Sequence, residues 1–120
     1  MIQAISAVTF AVRDMARSVA FYRKLGFELV YGGERAAFSS LKAGAAFVNL
    51  AASPGYEHHW WGRAIFRVDD VDAHYREMQG RGLPVESPRD APWGERFFHV
   101  MDPDGHELSF AELLPASGDV

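Results

Sequence analysis

Five histidines, the charged residues Arg63, Arg67 and Glu107 and a group of loop aromatics are the residues with which this 120-residue chain could do chemistry. His58 and His59 are adjacent: in an extended segment their side chains point to opposite faces, and on a loop their spacing does not set their direction. His74 sits beside Val71 and Tyr75 in helical spacing and reads as a partly buried helix-edge residue. His106 follows the turn residue Gly105 and reads as exposed. His99 differs from all of these. On the run Arg96 to Met101, alternation places Phe97, His99 and Met101 on one face and Phe98 and Val100 on the other. An imidazole among aromatic neighbours can serve as a base, a ligand or a hydrogen-bond partner. The same period groups Arg63, Ile65 and Arg67, and it groups Glu107, Ser109 and Ala111. Arg67 and Glu107 are expected to pair with each other, to reach solvent, or to contact a ligand.

Tyr56, Trp60, Trp61 and Trp93 fall in segments that read as loops, where ligand contacts concentrate over a rigid scaffold. Indole faces stack on planar heterocycles or on cations. The structural alternative is that Trp93, after Pro92, packs over a sheet edge and that Trp60 or Trp61 seals a crossing between two halves. Phe47 and Asn49, two residues apart on the run Ala46 to Ala51, join them as candidate ligand contacts. Apolar walls with a few orienting polar groups are what a small-molecule site needs. The sequence has no cysteine, which excludes disulfide frameworks, thiolate metal sites and cysteine nucleophiles. No nucleophile triad, phosphate loop or paired-carboxylate motif is present.

The elements that must position these residues are repeated. At an offset of 56, Phe10 aligns with Phe66, Val12 with Val68, Asp14 with Asp70, Gly26 with Gly82 and Phe27 with Leu83, without a gap. Each half opens with a strand-like run, Ile5 to Val12 and Arg63 to Val68. Asp14 and Asp70 stand where helix N-caps belong, helical spacing follows, and Gly26 and Gly82 supply the residues that end a helix. Extended runs come next: Phe27 to Tyr31, Ala36 to Leu41 and Ala46 to Ala51, then Val85 to Ser87, Arg96 to Met101 and Glu107 to Glu112. The unit reads βαβββ, twice, with residues 52–62 as the crossing and Pro115 to Val120 as a frayed end.

Composition fits one globular domain spanning residues 1–120, with module one at 1–53 and module two at 62–114. Hydrophobic residues make up 48% and charged residues 23%, which argues against disorder. The net charge of −4 divides unevenly: residues 1–56 carry six Lys/Arg against three Asp/Glu, and 57–120 carry six against thirteen. The basic residues of the first half (Arg13, Arg17, Arg23, Lys24, Arg35, Lys42) are scattered and read as solvated surface, not as a nucleic-acid stripe. No apolar run approaches the roughly 18 residues of a membrane span, and Met1 to Ala7 lacks a signal-peptide pattern. A cytoplasmic protein with no nucleic-acid or membrane partner is the expectation.

The stretches ISAVTFAVRDMARSVAFYRKLGFELVY, FRVDDVDAHY and PWGERFFHVMDPDGHELSFAE, together with the repeat, resemble the vicinal oxygen chelate superfamily of glyoxalase I, extradiol dioxygenases, and bleomycin and fosfomycin resistance proteins. The bleomycin-resistance group is similar in Ser6, Ala7, Val8, Arg13, Asp14, Leu25, Gly26, Phe27, Pro92, Trp93, Gly94, Asp102, Pro103 and Gly105. The resemblance implies an α+β fold of two tandem βαβββ modules, with a cup-shaped, mostly antiparallel sheet and helices on its outer face. It also implies a homodimer, often with the first strand exchanged. The superfamily's enzymes hold a divalent metal on positions that correspond here to Ala7, Asn49, Arg63 and Ser109. A methyl group, an amide, a guanidinium and a hydroxyl are not the imidazoles and carboxylates that such metals require. The expectation is therefore an antibiotic-resistance-like, metal-independent binding protein without a cofactor. It would sequester a planar or amphipathic molecule among Phe47, Asn49, Trp60, Trp61, Arg63, Ile65, Arg67, Trp93, Phe97, His99, Glu107 and Ser109. The alternative is a lyase, isomerase or dioxygenase of the same superfamily. It would use a displaced metal on residues such as His59, His99 or Glu107, or metal-free chemistry with His99 as base and Arg63 stabilising an oxyanion.

Overall fold

Asp14 and Asp70 start the two helices in the same way. Each is extended (φ −138° and −140°), and its carboxylate accepts from the backbone N–H three residues on, Arg17 and Ala73. Such a cap contributes about 1 kcal/mol and fixes where the chain turns helical. The helices that follow, α1 (Met15–Lys24) and α2 (Val71–Gly80), begin and end 56 residues apart, matching the sequence repeat. Gly26 (φ 109°) and Gly82 (φ 80°) follow the C-caps Leu25 and Arg81 and take the left-handed turn that other residues resist.

The computed structural model describes residues 1–115, so most of the tail read as frayed, 116–120, lies outside the described residues. Its strands are β1 (Ala7–Val12), β2 (Glu28–Tyr31), β3 (Phe38–Ala43), β4 (Ala46–Ala52), β5 (Arg63–Arg67), β6 (Arg89–Ala91), β7 (Glu95–Met101) and β8 (Glu107–Leu113). They form two four-stranded mixed sheets, ordered β1-β4-β3-β2 and β5-β8-β7-β6. In each sheet the first strand of the half pairs in parallel with the last, and the other pairs are antiparallel. The sheets are not closed into a barrel, and the fold is α+β, as the family resemblance implies.

The described residues group into two units, Met1–Trp61 with Asp102–His106, and Gly62–Met101 with the chain from Glu107 on. In the first unit, α1 lies on one face of its sheet and buries Met15, Val19 and Tyr22 with Phe10, Val12, Leu41, Val48 and Leu50. In the second, α2 packs on β7 and β8, burying Val71 and Met78 with Ala64, Phe98, Val100, Leu108 and Phe110. Period-2 alternation turns the remaining residues of every strand to the opposite face, which no helix of the same unit covers.

Three strands depart from the sequence reading by two residues or more. The strand expected at Ile5 begins at Ala7, and the one expected over Ala36 to Leu41 runs from Phe38 to Ala43. The largest shift is in β6, expected over Val85 to Ser87 and found at Arg89–Ala91. Pro84 and Pro88 bracket the expected run, and a proline offers no N–H to a ladder. Pairing starts once both are passed, at Arg89 opposite Phe97.

Candidate functional site

The open face of the second sheet is a grid fixed by register. One cross-strand row holds Arg63, Glu107 and Met101. The next holds Ile65, Ser109 and His99, and the third holds Arg67, Ala111, Phe97 and Arg89. The face expected from alternation is thus the one assembled, and Arg63, Ile65, Arg67, Phe97, His99, Glu107 and Ser109 lie together on it. Ile65 is 59% exposed and Met101 57%, unusual for apolar residues inside strands.

Glu107 does not pair with Arg67. Its Oε2 accepts from Nε of Arg63, which register sets directly across from it, whereas Arg67 stands two rows away beside Ala111. Arg67 has no hydrogen bond or ion pair among the described residues.

His99 carries the least ordinary polar atom of this face. Its Nδ1 is buried without a hydrogen-bond partner. The pKa of the ring is lowered, chiefly because burial penalises the charged form. Arg63 and Arg89 push the same way, while Glu107 and Glu86 oppose them. The imidazole is held towards its neutral state, and its buried Nδ1 is left without a partner. Beside it the rings continue: His99 to Phe97 at 5.0 Å between centroids, and Phe97 stacked with Trp93 at 6.2 Å and 18°. The Arg89 guanidinium lies 4.9 Å from the Phe97 centroid. Trp93 is 71% exposed, and its Nε1 donates to Glu95 Oε1 at 2.8 Å. Arg89 escaped the sequence reading because β6 is only three residues long and shows no alternation, and Glu95 because β7 starts one residue before the expected Arg96.

In the first unit, Phe47 and Asn49 lie on the open face of their own sheet, and Asn49 Nδ2 donates weakly to Thr9 Oγ1 at 3.4 Å. Ala7 is on the same face. Trp60 is exposed in the loop after β4. Trp61 is anchored, its Nε1 donating to His106 Nδ1 at 2.8 Å. His106, expected to be exposed, is 3% exposed. Its N–H donates to Asp102 Oδ1, and its Nε2 lies 2.8 Å from the Ala11 carbonyl, while the ring packs on Phe10 and Tyr56. His58 Nδ1 bonds the Tyr56 hydroxyl, and His59 is exposed.

Arg13 and Arg17 are not simply solvated. Both reach the fully buried carboxylate of Asp104, at 2.8 and 3.3 Å, and Ser18 Oγ joins them. Asp102 and Asp104 were legible only as turn residues, so this buried polar knot was missed.

The positions that would hold a metal by family carry-over are Ala7 and Asn49 in the first unit and Arg63 and Ser109 in the second. Arg63 and Ser109 bring no imidazole or carboxylate, and the neighbouring Glu107 oxygen is engaged by Arg63. Among the described residues, no three His, Asp or Glu side chains are grouped as a metal site requires. The donor set at those positions does not fit a divalent ion.

Residues 4–110 match the family model of the glyoxalase/bleomycin resistance protein/dioxygenase superfamily. A bleomycin resistance protein from Geobacillus stearothermophilus is 32% identical over an alignment covering 95% of this chain and 98% of that one. A bleomycin-binding protein solved in complex with bleomycin superposes with a TM-score of 0.77 at 25% identity, covering 92% of this chain and 98% of that one. A lactoylglutathione lyase from Agrobacterium tumefaciens gives 0.74 at 24% identity, covering 92% and 94%, and shares the fold.

Proposed function

Since the chain belongs to the glyoxalase/bleomycin resistance protein/dioxygenase superfamily, we propose that it is a metal-independent binding protein that sequesters a planar or amphipathic small molecule. The observation that carries this reading is the open face of the second sheet. Exposed Ile65 and Met101, the Trp93–Phe97 stack and the unpartnered Nδ1 of His99 stand there where the family's enzymes would need metal donors. Apolar area and rings supply affinity, and the few polar groups fix orientation. The bleomycin-binding neighbour and the resistance-protein relatives support binding as the activity.

Trp93 reports on this face directly. Titration of the chelator-treated protein with a panel of planar heterocycles and glycopeptides should change its emission and saturate stoichiometrically without turnover. About one metal per chain, lost together with binding on chelation, would overturn the metal-independent reading. No response to any of the panel would overturn the binding reading.

A metal-free reaction with His99 as base is the second reading, favoured by its lowered pKa and its free Nδ1. His99→Gln separates the two: it abolishes turnover if His99 is a base and only weakens binding otherwise.

We also propose that the chain pairs with a second copy. Exposed apolar residues inside strands and unpaired edges at β1 and β5 support this. Sedimentation should give about twice the 13.4 kDa chain mass, and a stable monomer at micromolar concentration would overturn it. No helix is long and apolar enough to cross a membrane.

A further inference from the structure

We infer that the open face of the second sheet selects an aromatic ligand bearing a negative charge, with the ring against the exposed apolar and aromatic side chains of that face and its anionic group against Arg67. The inference rests on the reading above, that this face binds a planar small molecule, and adds the ligand's charge.

On the open face of β8, Ser109 and Ala111 are 3% and 2% exposed and closed to a ligand, although their cross-strand neighbours Ile65 and Arg67 are exposed. A ring therefore rests on the taller side chains of the flanking strands, Ile65 on β5 and Phe97 on β7 with its stacking partner Trp93, and not on β8 itself. At one end, the row of Arg63 and Glu107 closes on itself as an ion pair.

The charges are not balanced across this face. Each carboxylate on the face is already engaged, Glu107 by Arg63 and Glu95 by Trp93 Nε1. Glu86 is the other acidic group whose field reaches His99, and Arg89 and Arg63 counter it. Arg67 and Arg89 stand at the two ends of the third row, with Ala111 and Phe97 between them. Neither has a carboxylate partner among the described residues, and Arg89 is turned onto the Phe97 ring. A guanidinium beside a ring wall is matched by a carboxylate or sulfonate attached to an aromatic group, since the planar fork binds such anions with two parallel bonds. An aromatic cation meets two guanidiniums without carboxylate partners instead and is disfavoured.

The test uses three probes with one ring system: 2-naphthoate, its neutral amide 2-naphthamide, and the cation 2-naphthylmethylammonium. Each is titrated into the full chain at low salt with Trp fluorescence and calorimetry as readouts. The naphthoate should bind at least tenfold more tightly than the amide, and the ammonium more weakly than either. Arg67→Gln should bring the naphthoate down to the level of the amide, while Arg67→Lys should keep part of the preference. Circular dichroism identifies a variant that fails to fold, and Arg89→Gln then tests the other end of the same row. If the amide or the ammonium binds as tightly as the naphthoate, the charge assignment falls while aromatic binding stands. A preference that survives both Arg67→Gln and Arg89→Gln also overturns it. If no naphthyl probe binds, the reading of this face as an aromatic site falls, and the inference falls with it.

Discussion

Trp61 donates its indole N–H to Nδ1 of the buried His106, and that bond fixes the imidazole tautomer. The other ring nitrogen, Nε2, must then carry the proton it donates to the Ala11 carbonyl, 2.8 Å away. A loop tryptophan that looks like a free ligand contact is thereby tethered to the turn between β7 and β8. Trp61→Phe keeps an aromatic surface but leaves Nδ1 buried without its donor. The expected cost is about 1–2 kcal/mol of unfolding free energy, read by urea denaturation. A loss below the error of the extrapolation would mean that the indole is held by ring contacts with Phe10 alone.

Tyr22 is fully buried and donates its hydroxyl to Asp102 Oδ2 at 2.8 Å, while the other carboxylate oxygen accepts from the backbone of Asp104 and His106. Removing the hydroxyl strands one oxygen of a buried carboxylate. Tyr22→Phe should cost about 1.5–3 kcal/mol, the range for a hydrogen bond to a charged group. Burial first, and then the Asp102 charge, raises the Tyr22 pKa well above its usual value. The folded state therefore holds this proton more tightly than the unfolded state. Stability should fall as pH rises past about 10, and the fall should be shallower in Tyr22→Phe. Equal alkaline slopes in the two proteins would remove Tyr22 from the alkaline transition.

The sequence made the architecture readable because alternation and helix caps are local signals. Asp14 and Asp70 cap helices 56 residues apart as their spacing implies, and Phe97, His99 and Met101 share the face that period 2 assigns them. Long-range facts were not readable. His106 follows a glycine turn and reads as surface, yet backbone and side-chain partners distant in sequence bury it. Glu107 takes Arg63 over Arg67 because parallel register, which no local pattern reveals, puts Arg63 opposite it. Arg89 emerged only once β6 was seen to pair beyond Pro88.

Gly105 occupies the left-handed region at φ +95°, with the His58 ring close by. A Cβ built there would lie 2.9 Å from Cδ2 of His58, whose ring is tethered by the Tyr56 hydroxyl. Gly105→Ala should cost about 2–3 kcal/mol, combining backbone strain with displacement of the imidazole. Adding His58→Ala should recover the steric part and leave the backbone part, so a double-mutant cycle should show coupling between the two sites. Additive effects would mean that the ring moves aside freely and that only φ matters.

His99 gives the fold a pH dependence whose sign is set by burial. Its folded pKa lies below the usual histidine value, chiefly through desolvation, so near and below that usual value the unfolded chain binds a proton that the folded chain refuses. Stability should therefore be fully present above about pH 6.5, decline as pH falls through the usual value, and level off only below the lowered one. The decline in melting temperature between neutral and mildly acidic pH should be smaller in His99→Gln, which cannot take up that proton. The same titration should weaken ligand binding if the neutral Nδ1 accepts a hydrogen bond from the ligand, and strengthen it if a protonated ring meets an anion there. Measuring affinity for 2-naphthoate across that window distinguishes these arms. A melting curve with the same acid limb in both proteins would show that His99 titrates alike in the folded and unfolded chain.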